Sequence, residues 1–242
     1  GINKIYCLRS KKGHFKNLPD TIDVKEFQSW GDIPKIKADI AIISNPTSLH
    51  LEAAKKIFPF VNGLLVEKPL SNSIDGCVDF IDLCNKEKVV TFSAHNLLFH
   101  PIVLFIKKFI DKNDLGRIIN FQLQVGQWIE DWHPYEDYKK SYFSRSELGG
   151  GVTLTLIHEI YLALDLMGRA KEVSCFMLDG EELGINVDIS SDIMIRHIND
   201  TVSQIHMDYL QKKHHRTGLI SFEKGWISYD FSNLTIHACS IE

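Results

Sequence analysis

In the first hundred residues short apolar segments alternate with helical ones, and no other feature restricts the fold as strongly. "KIYCL" (4–8), "ADIAIISN" (38–45), "GLLVEKP" (63–69) and "VVTFSAHN" (89–96) read as strands. "HLEAAKKIF" (50–58) and "SIDGCVDFIDLCNKEK" (73–88) have helical spacing, the second with Ile74, Cys77, Phe80, Ile81 and Cys84 along one face. Apolar strands separated by helices predict a parallel sheet covered on both faces. The GxGxxG turn that opens such a sheet is absent together with its strand and helix, a unit of roughly 30 residues. The chain therefore reads as one entered partway through a fold.

After "HNLLFHP" the pattern changes. "IVLFIKKFIDK" (102–112) is a helix and "GRIINFQLQVGQWI" (116–129) a long strand in which Ile119, Phe121, Leu123 and Val125 alternate with polar neighbours. A polar aromatic segment then leads into "GGGVTLTLIHEIYLALDLMG" (149–168), read as a helix, and strands are expected at 171–178, 190–197, 201–209, 216–222 and 226–231. The expected fold class is α/β: an incomplete Rossmann-type parallel sheet over 1–97, then an α+β unit with a largely antiparallel sheet over 98–242.

The totals narrow the function. A net charge of −4, from 27 basic and 31 acidic residues, argues against a nucleic-acid partner. "KKHHR" (212–216) is the densest basic run and reads as a solvated loop. Five cysteines without CxxC spacing fit reduced thiols and a cytoplasmic location. No stretch reaches the roughly 18 apolar residues of a membrane helix, so no membrane partner is expected. "HEIYL" is not HExxH and "HH" at 214–215 lacks a helical partner, which leaves no metal site to expect.

In an open parallel sheet, ligands bind at the carboxyl ends of the strands. Those ends carry "LRS" (8–10), "SNPTSLH" (44–50) and "VEKPL" (66–70). Lys68 in that position can hold a substrate hydroxyl; the alternative is a surface ion pair with Glu67 before a turn. His158 likewise has two readings, a catalytic base in a pocket or a core histidine with satisfied hydrogen bonds. Spacing alone favours the core.

"ISNPTSLHLEAA", "LVEKPLSNS", "HNLLFHP", "DWHPYEDYKKSY", "ELGGGVTLTLIHEI" and "DYLQ", in this order, resemble the Gfo/Idh/MocA oxidoreductases. The branch most similar is the one associated with bacterial surface-sugar and nonulosonic-acid biosynthesis. The resemblance covers nearly the whole chain. It implies an NAD(P)-binding Rossmann domain, a second domain whose sheet forms a homo-oligomer interface, and missing ends at both termini. It makes Lys68 similar to the lysine that contacts the nicotinamide ribose and the reacting hydroxyl, and His158 similar to the catalytic histidine. Ser44, Asn45, Pro46, His50, Glu67 and Asn96 fall among the implied cofactor contacts. Arg9 and Ser10 follow the strand where a basic residue is compatible with a 2′-phosphate, which gives NADP a slight preference over NAD.

The chain departs from the branch at two places. Aspartates three residues before and after the histidine are replaced by Thr155 and Tyr161, and under the family's other spacing Leu154 takes the acid's place. Leu98 stands where arginine is usual. Thr155, His158 and Tyr161 share a helix face and are expected to line one substrate pocket. Asp131, Trp132 and His133 are candidate sugar contacts, with a structured loop as the alternative. The implied activity is NAD(P)-dependent oxidation or reduction of a sugar or nucleotide sugar. The competing reading, from the lost aspartates, is a non-catalytic relative that binds a sugar or a partner; a third is that the chain as given, without its glycine-rich turn, is an inactive piece of an active enzyme.

Overall fold

The computed structural model describes residues 4–9, 24–36 and 38–241. Three short strands, β3 (Ile40–Ile43), β4 (Gly63–Val66) and β5 (Val90–Ser93), form a parallel sheet. The register aligns Ala41 with Leu64 and Ile43 with Val66 on one face. Helices α1 (His50–Ile57) and α2 (Cys77–Lys86) bury Ala53, Ala54, Phe80 and Cys84 in the same apolar cluster. The two alanines let the backbone of α1 approach the sheet. On the opposite face Ile40, Ile42, Val90 and Phe92 stay exposed.

A second parallel pair, β1 (Ile5–Leu8) and β2 (Val24–Phe27), stands as a separate sheet. A doubly wound sheet of order 3-2-1-4-5-6 has strands 3-2 on one side of its first strand and 4-5-6 on the other. The pairs β2-β1 and β3-β4-β5 reproduce those two flanks, with β1 and β3 as sheet edges.

The expected helix at 73–88 is shorter than its apolar pattern. The Ser73 hydroxyl donates to Asp75 at 2.7 Å and accepts from the Asp75 amide at 3.1 Å, a local turn that competes with helix. Gly76 then takes a left-handed conformation (φ 69°), so α2 begins at Cys77. Cys77, Phe80 and Cys84 face the core, while Ile74 (79% exposed) and Ile81 do not.

The second half is built on a seven-stranded sheet of order β12-β11-β10-β6-β9-β8-β7. Its strands are β6 (Ile118–Gly126), β7 (Ala170–Asp179), β8 (Asp188–His197), β9 (Val202–Asp208), β10 (His215–Phe222), β11 (Gly225–Asp230) and β12 (Thr235–Ser240). All neighbours are antiparallel except β6 and β9. Strands β2 and β12 went unread in the sequence.

Alternation decides the two faces of this sheet. Phe121, Leu123, Val125, Ile193, Ile195, Ile205, Met207, Ile220 and Ile227 point to one core, which α3 (Pro101–Lys112) and α6 (His158–Met167) help to close. No single helix among the described residues is long and apolar enough to cross a membrane. The other face carries Gln122, Gln124, Asp192, Met194, Gln204 and His206, and among the described residues no helix packs extensively on it.

On that open face His206 Nδ1 lies 2.7 Å from Asp192 Oδ1 and its Nε2 lies 3.0 Å from Asp208 Oδ2. Burial disfavours the imidazolium, but the hydrogen bonds and charges of the two carboxylates together outweigh it and raise the pKa. Such a group adds stability that is fully present below its unfolded pKa of about 6.5 and fades as the pH rises through the folded value. The urea midpoint of the wild type is expected to fall across that window, relative to His206→Gln. Equal slopes for the two proteins would show that the carboxylates do not hold the imidazolium.

Candidate functional site

The site is positioned by the glycines before His158. Gly149 (φ 75°) sits against the loop that follows β3, where a Cβ would lie 2.8 Å from Thr47 Cβ. Gly151 (φ 106°) lies against Asp188, whose Oδ2 accepts from the Thr153 amide at 2.8 Å and the Thr153 hydroxyl at 2.7 Å. This carboxylate, reaching over from β8, caps the one-turn helix α5 (Val152–Thr155).

The expected single helix over 149–168 is broken. Leu156 leaves helical geometry (φ −95°, ψ 26°), and the segments on either side, 146–155 and 158–167, meet at 51°. In an unbroken helix the Thr155 carbonyl would accept from the amide four residues on. Here that amide, Glu159 N, turns to Leu156 O at 3.5 Å. The freed Thr155 carbonyl accepts from Lys68 Nζ at 2.5 Å, across 87 residues of sequence. The helix break therefore fixes the lysine's head.

Glu67 follows β4 directly and continues the sheet pattern by donating its amide to Ile43 O at 2.9 Å; Lys68 comes next. The adjoining loop is braced by His50, which is 2% exposed, with Nδ1 2.7 Å from Pro69 O and Nε2 2.7 Å from Asn45 O. Both ring nitrogens are engaged, so His50 holds two loops together. Burial lowers the Lys68 pKa; Glu67 pulls it up, Arg216 lowers it further, and Glu159 opposes.

His158 opens α6 and is depressed to about 3, first by burial and then by the charges of Lys68, Arg216 and His95. It is a neutral imidazole at neutral pH. Its Nδ1 is buried without a partner. By linkage, a histidine kept neutral in the fold costs stability as the pH falls from about 6.5 towards the folded value.

His95, at the end of β5, completes the cluster and was not picked out in the sequence. It is 8% exposed, stacks on Tyr161 (centroids 3.7 Å, planes 11°) and stands edge-on to His158 at 6.0 Å. Burial, then the Lys68 charge, lowers its pKa against the pull of Glu67. The signal for it was available: it occupies a strand end in the same sheet as Lys68, one residue before Asn96.

The other candidates are placed as follows. Asn45 Oδ1 and Ser48 Oγ, after β3, are buried without partners, as is His95 Nδ1. Such atoms at sheet ends suit a polar ligand, and they fit a dinucleotide. Ser44 and Asn96 are exposed beside them, and Pro46 packs in the same loop. Arg9 closes β1 with Nη1 3.9 Å from Glu26; Ser10 lies outside the described residues. Thr155 contributes its carbonyl to Lys68, while its side-chain hydroxyl is buried without a partner. Leu154 and Leu98 are half-buried.

The polar aromatic segment is largely self-satisfied. Trp132 stacks on Phe143 (5.0 Å, 25°), His133 pairs with Glu136 at 3.0 Å, and Asp131 is exposed. The run at 212–216 is solvated only in part. Lys212 to His214 are exposed, but Arg216 enters an ion pair with Glu159, which is 2% exposed. Among the described residues no group of side chains is arranged to hold a metal ion, and the five cysteines are free.

Comparison with known proteins gives the family and the fold. Residues 5–95 match the model described as oxidoreductase family, NAD-binding Rossmann fold, and residues 103–228 match the GFO/IDH/MocA C-terminal domain. Levoglucosan dehydrogenase of Pseudarthrobacter phenanthrenivorans is 24% identical over 222 residues, covering 82% of this chain and 55% of that protein. D-xylose dehydrogenase of Paenarthrobacter nicotinovorans is 23% identical over 137 residues, covering 56% of this chain and 35% of that one. Among solved structures, levoglucosan dehydrogenase with NADH and L-sorbose superposes with a TM-score of 0.78 at 21% identity, covering 89% of this chain and 61% of that one. The WlbA dehydrogenase from Bordetella pertussis, with NADH and UDP-GlcNAcA, gives 0.75 at 18% identity, over 85% and 63%. The chain thus spans between about a third and two thirds of the length of these relatives. With a Rossmann model over its parallel strands, a C-terminal model over its large sheet and Lys68 meeting His158 between them, the chain belongs to the Gfo/Idh/MocA oxidoreductase family.

Proposed function

We propose that this chain carries the catalytic groups of an NAD(P)-dependent dehydrogenase acting on a sugar or nucleotide-sugar hydroxyl or carbonyl. The observation that carries the reading is the meeting of Lys68, His95 and His158 where the parallel strands end against α6. Asn45, Pro46, Lys68 and Asn96 would hold the dinucleotide, which when bound supplies the hydride acceptor or donor. Lys68 gives one of its N–H bonds to Thr155 O and keeps the others for the substrate oxygen. In the oxidative direction the substrate O–H proton passes to Nε2 of His158, whose imidazole is uncharged. In reduction the proton returns from that nitrogen to the carbonyl oxygen.

The finer choices follow from the same residues. Arg9 favours a 2′-phosphate and hence NADP, while Glu26 beside it draws on the same charge. The ratio of NADPH to NADH affinity reads out which prevails. The open sheet face, with Phe176 77% and Met194 44% exposed, supports a homo-oligomer through that face. Free thiols support a reducing, cytoplasmic setting.

The experiment is a panel of sugars and nucleotide sugars assayed with NAD+ and NADP+ at 340 nm, for the full-length protein and its His158→Ala variant. Turnover that drops about a hundred- to ten-thousand-fold in the variant is expected. Full turnover in His158→Ala would remove the histidine from the proton step.

A further inference from the structure

Glu159 directly follows His158 in sequence and is buried, 2% exposed. Arg216 meets it there: Nε lies 2.8 Å from Oε1, and Nη2 donates to Oε2 at 3.3 Å. The register sets Arg216 opposite Val125, on the helix-covered face of the large sheet. β10 thus delivers a guanidinium beneath the first turn of α6, at the turn that bears His158.

We propose that Arg216, held in place by Glu159, is a positioning residue of the site: a fixed positive charge that acts on the reacting oxygen through Lys68 and His158. The proposal rests on the dehydrogenase reading above. The groups that face one another here are Lys68, Glu67, His95, His158, Glu159, Tyr161, Arg216 and Tyr229. Arg216 is the one permanent cation among them, since a guanidinium keeps its proton throughout the pH range of proteins. Its charge falls on both Lys68 and His158 and disfavours a proton on either.

That matters for the order of events in alcohol oxidation. The O–H proton leaves to His158 and the C–H pair leaves as hydride, so the oxygen gains negative character whenever the proton goes first. A nearby cation that cannot give up a proton stabilises that oxygen without competing for the proton. This also gives a physical meaning to the missing acids. An aspartate beside the histidine would raise its pKa; here the neighbours are Thr155 and Tyr161, and the charge behind the imidazole is positive.

The test follows the His158 imidazole by NMR in histidine-labelled protein without cofactor or substrate. Arg216→Gln is expected to raise its titration midpoint by about one pH unit, and Arg216→Lys to return it most of the way. In parallel, kcat/KM for oxidation is expected to fall at least tenfold in Arg216→Gln with KM little changed, because the charge acts on the oxygen as it reacts. If Arg216→Gln does not fold, the pair Glu159→Gln with Arg216→Gln keeps a hydrogen bond without charge and carries the same expectation. A folded variant whose His158 titrates as in the wild type overturns the proposal, as does a shifted midpoint with unchanged kcat/KM. If the midpoint shifts but no sugar or nucleotide sugar is ever turned over, the dehydrogenase reading fails while the electrostatic link holds.

Discussion

A Lys68→Met protein is expected to lose about a thousandfold in kcat/KM for sugar oxidation while keeping its fold. The side chain touches the Thr155 carbonyl freed by the helix break, and in the proposed function it also holds the substrate oxygen. Removing it leaves that carbonyl without a partner, a cost of roughly 1–3 kcal/mol. It also removes an ammonium whose burial is unfavourable, so the net change in thermal stability is expected to be small. Steady-state kinetics with calorimetry separate the two effects. Lys68→Arg is not expected to rescue, because a planar fork does not match one carbonyl and one hydroxyl in the place of a point charge. Turnover within tenfold of wild type in Lys68→Met would reduce the lysine to scaffold. The pH profile adds a second check. With His158 neutral down to about pH 3, oxidation is expected to show no acid limb near the ordinary histidine value of about 6.5.

The largest expected loss of stability is at Gly151. Its backbone (φ 106°, ψ 151°) lies where L side chains are strained, and a Cβ would fall 2.0 Å from Asp188 Oδ1. Alanine there must push the carboxylate away and with it the two bonds that cap α5 through Thr153. Strain of about 1–3 kcal/mol and the lost cap together put Gly151→Ala at about 3 kcal/mol or more. Gly168→Ala serves as the control, since Gly168 also has positive φ (89°) but nothing within 4 Å of the added methyl. It is expected to cost only the strain. Urea unfolding of both variants measures the difference, and equal midpoints would mean that Asp188 does not constrain the turn. Activity in Gly151→Ala is expected to fall with stability, because the same turn sets where Thr155 presents its carbonyl.

How much of this was legible in the chain depends on whether a feature is local. The apolar runs at 40–43, 63–66 and 118–126 made strands where they were expected, because burial on one or both faces writes itself into the period of the sequence. The helix at 73–88 was overextended, because Ile74 continues the period while the Ser73–Asp75 turn and Gly76 end the helix. Strand β12 carries the exposed pattern of a sheet edge, and period alone gives little sign of one. Lys68 was legible as a charge at a strand end. His95 obeys the same rule and was passed over, since Asn96 beside it carried the resemblance.

What the sequence determined by itself is the order of elements and the parallel-then-antiparallel division, which depend on neighbours along the chain; Lys68 and His158 were singled out by the family resemblance. Only the tertiary structure decided which groups surround them. The break after Thr155 hands a carbonyl to Lys68, His50 is spent bracing two loops, and Arg216, in a run that reads as solvated, is drawn beneath His158 by Glu159. Those partners lie 87, 19, 5 and 57 residues apart in sequence. Electrostatics and hydrogen bonding act through space, so the state of a buried ionisable group is set by neighbours that only the fold brings within reach.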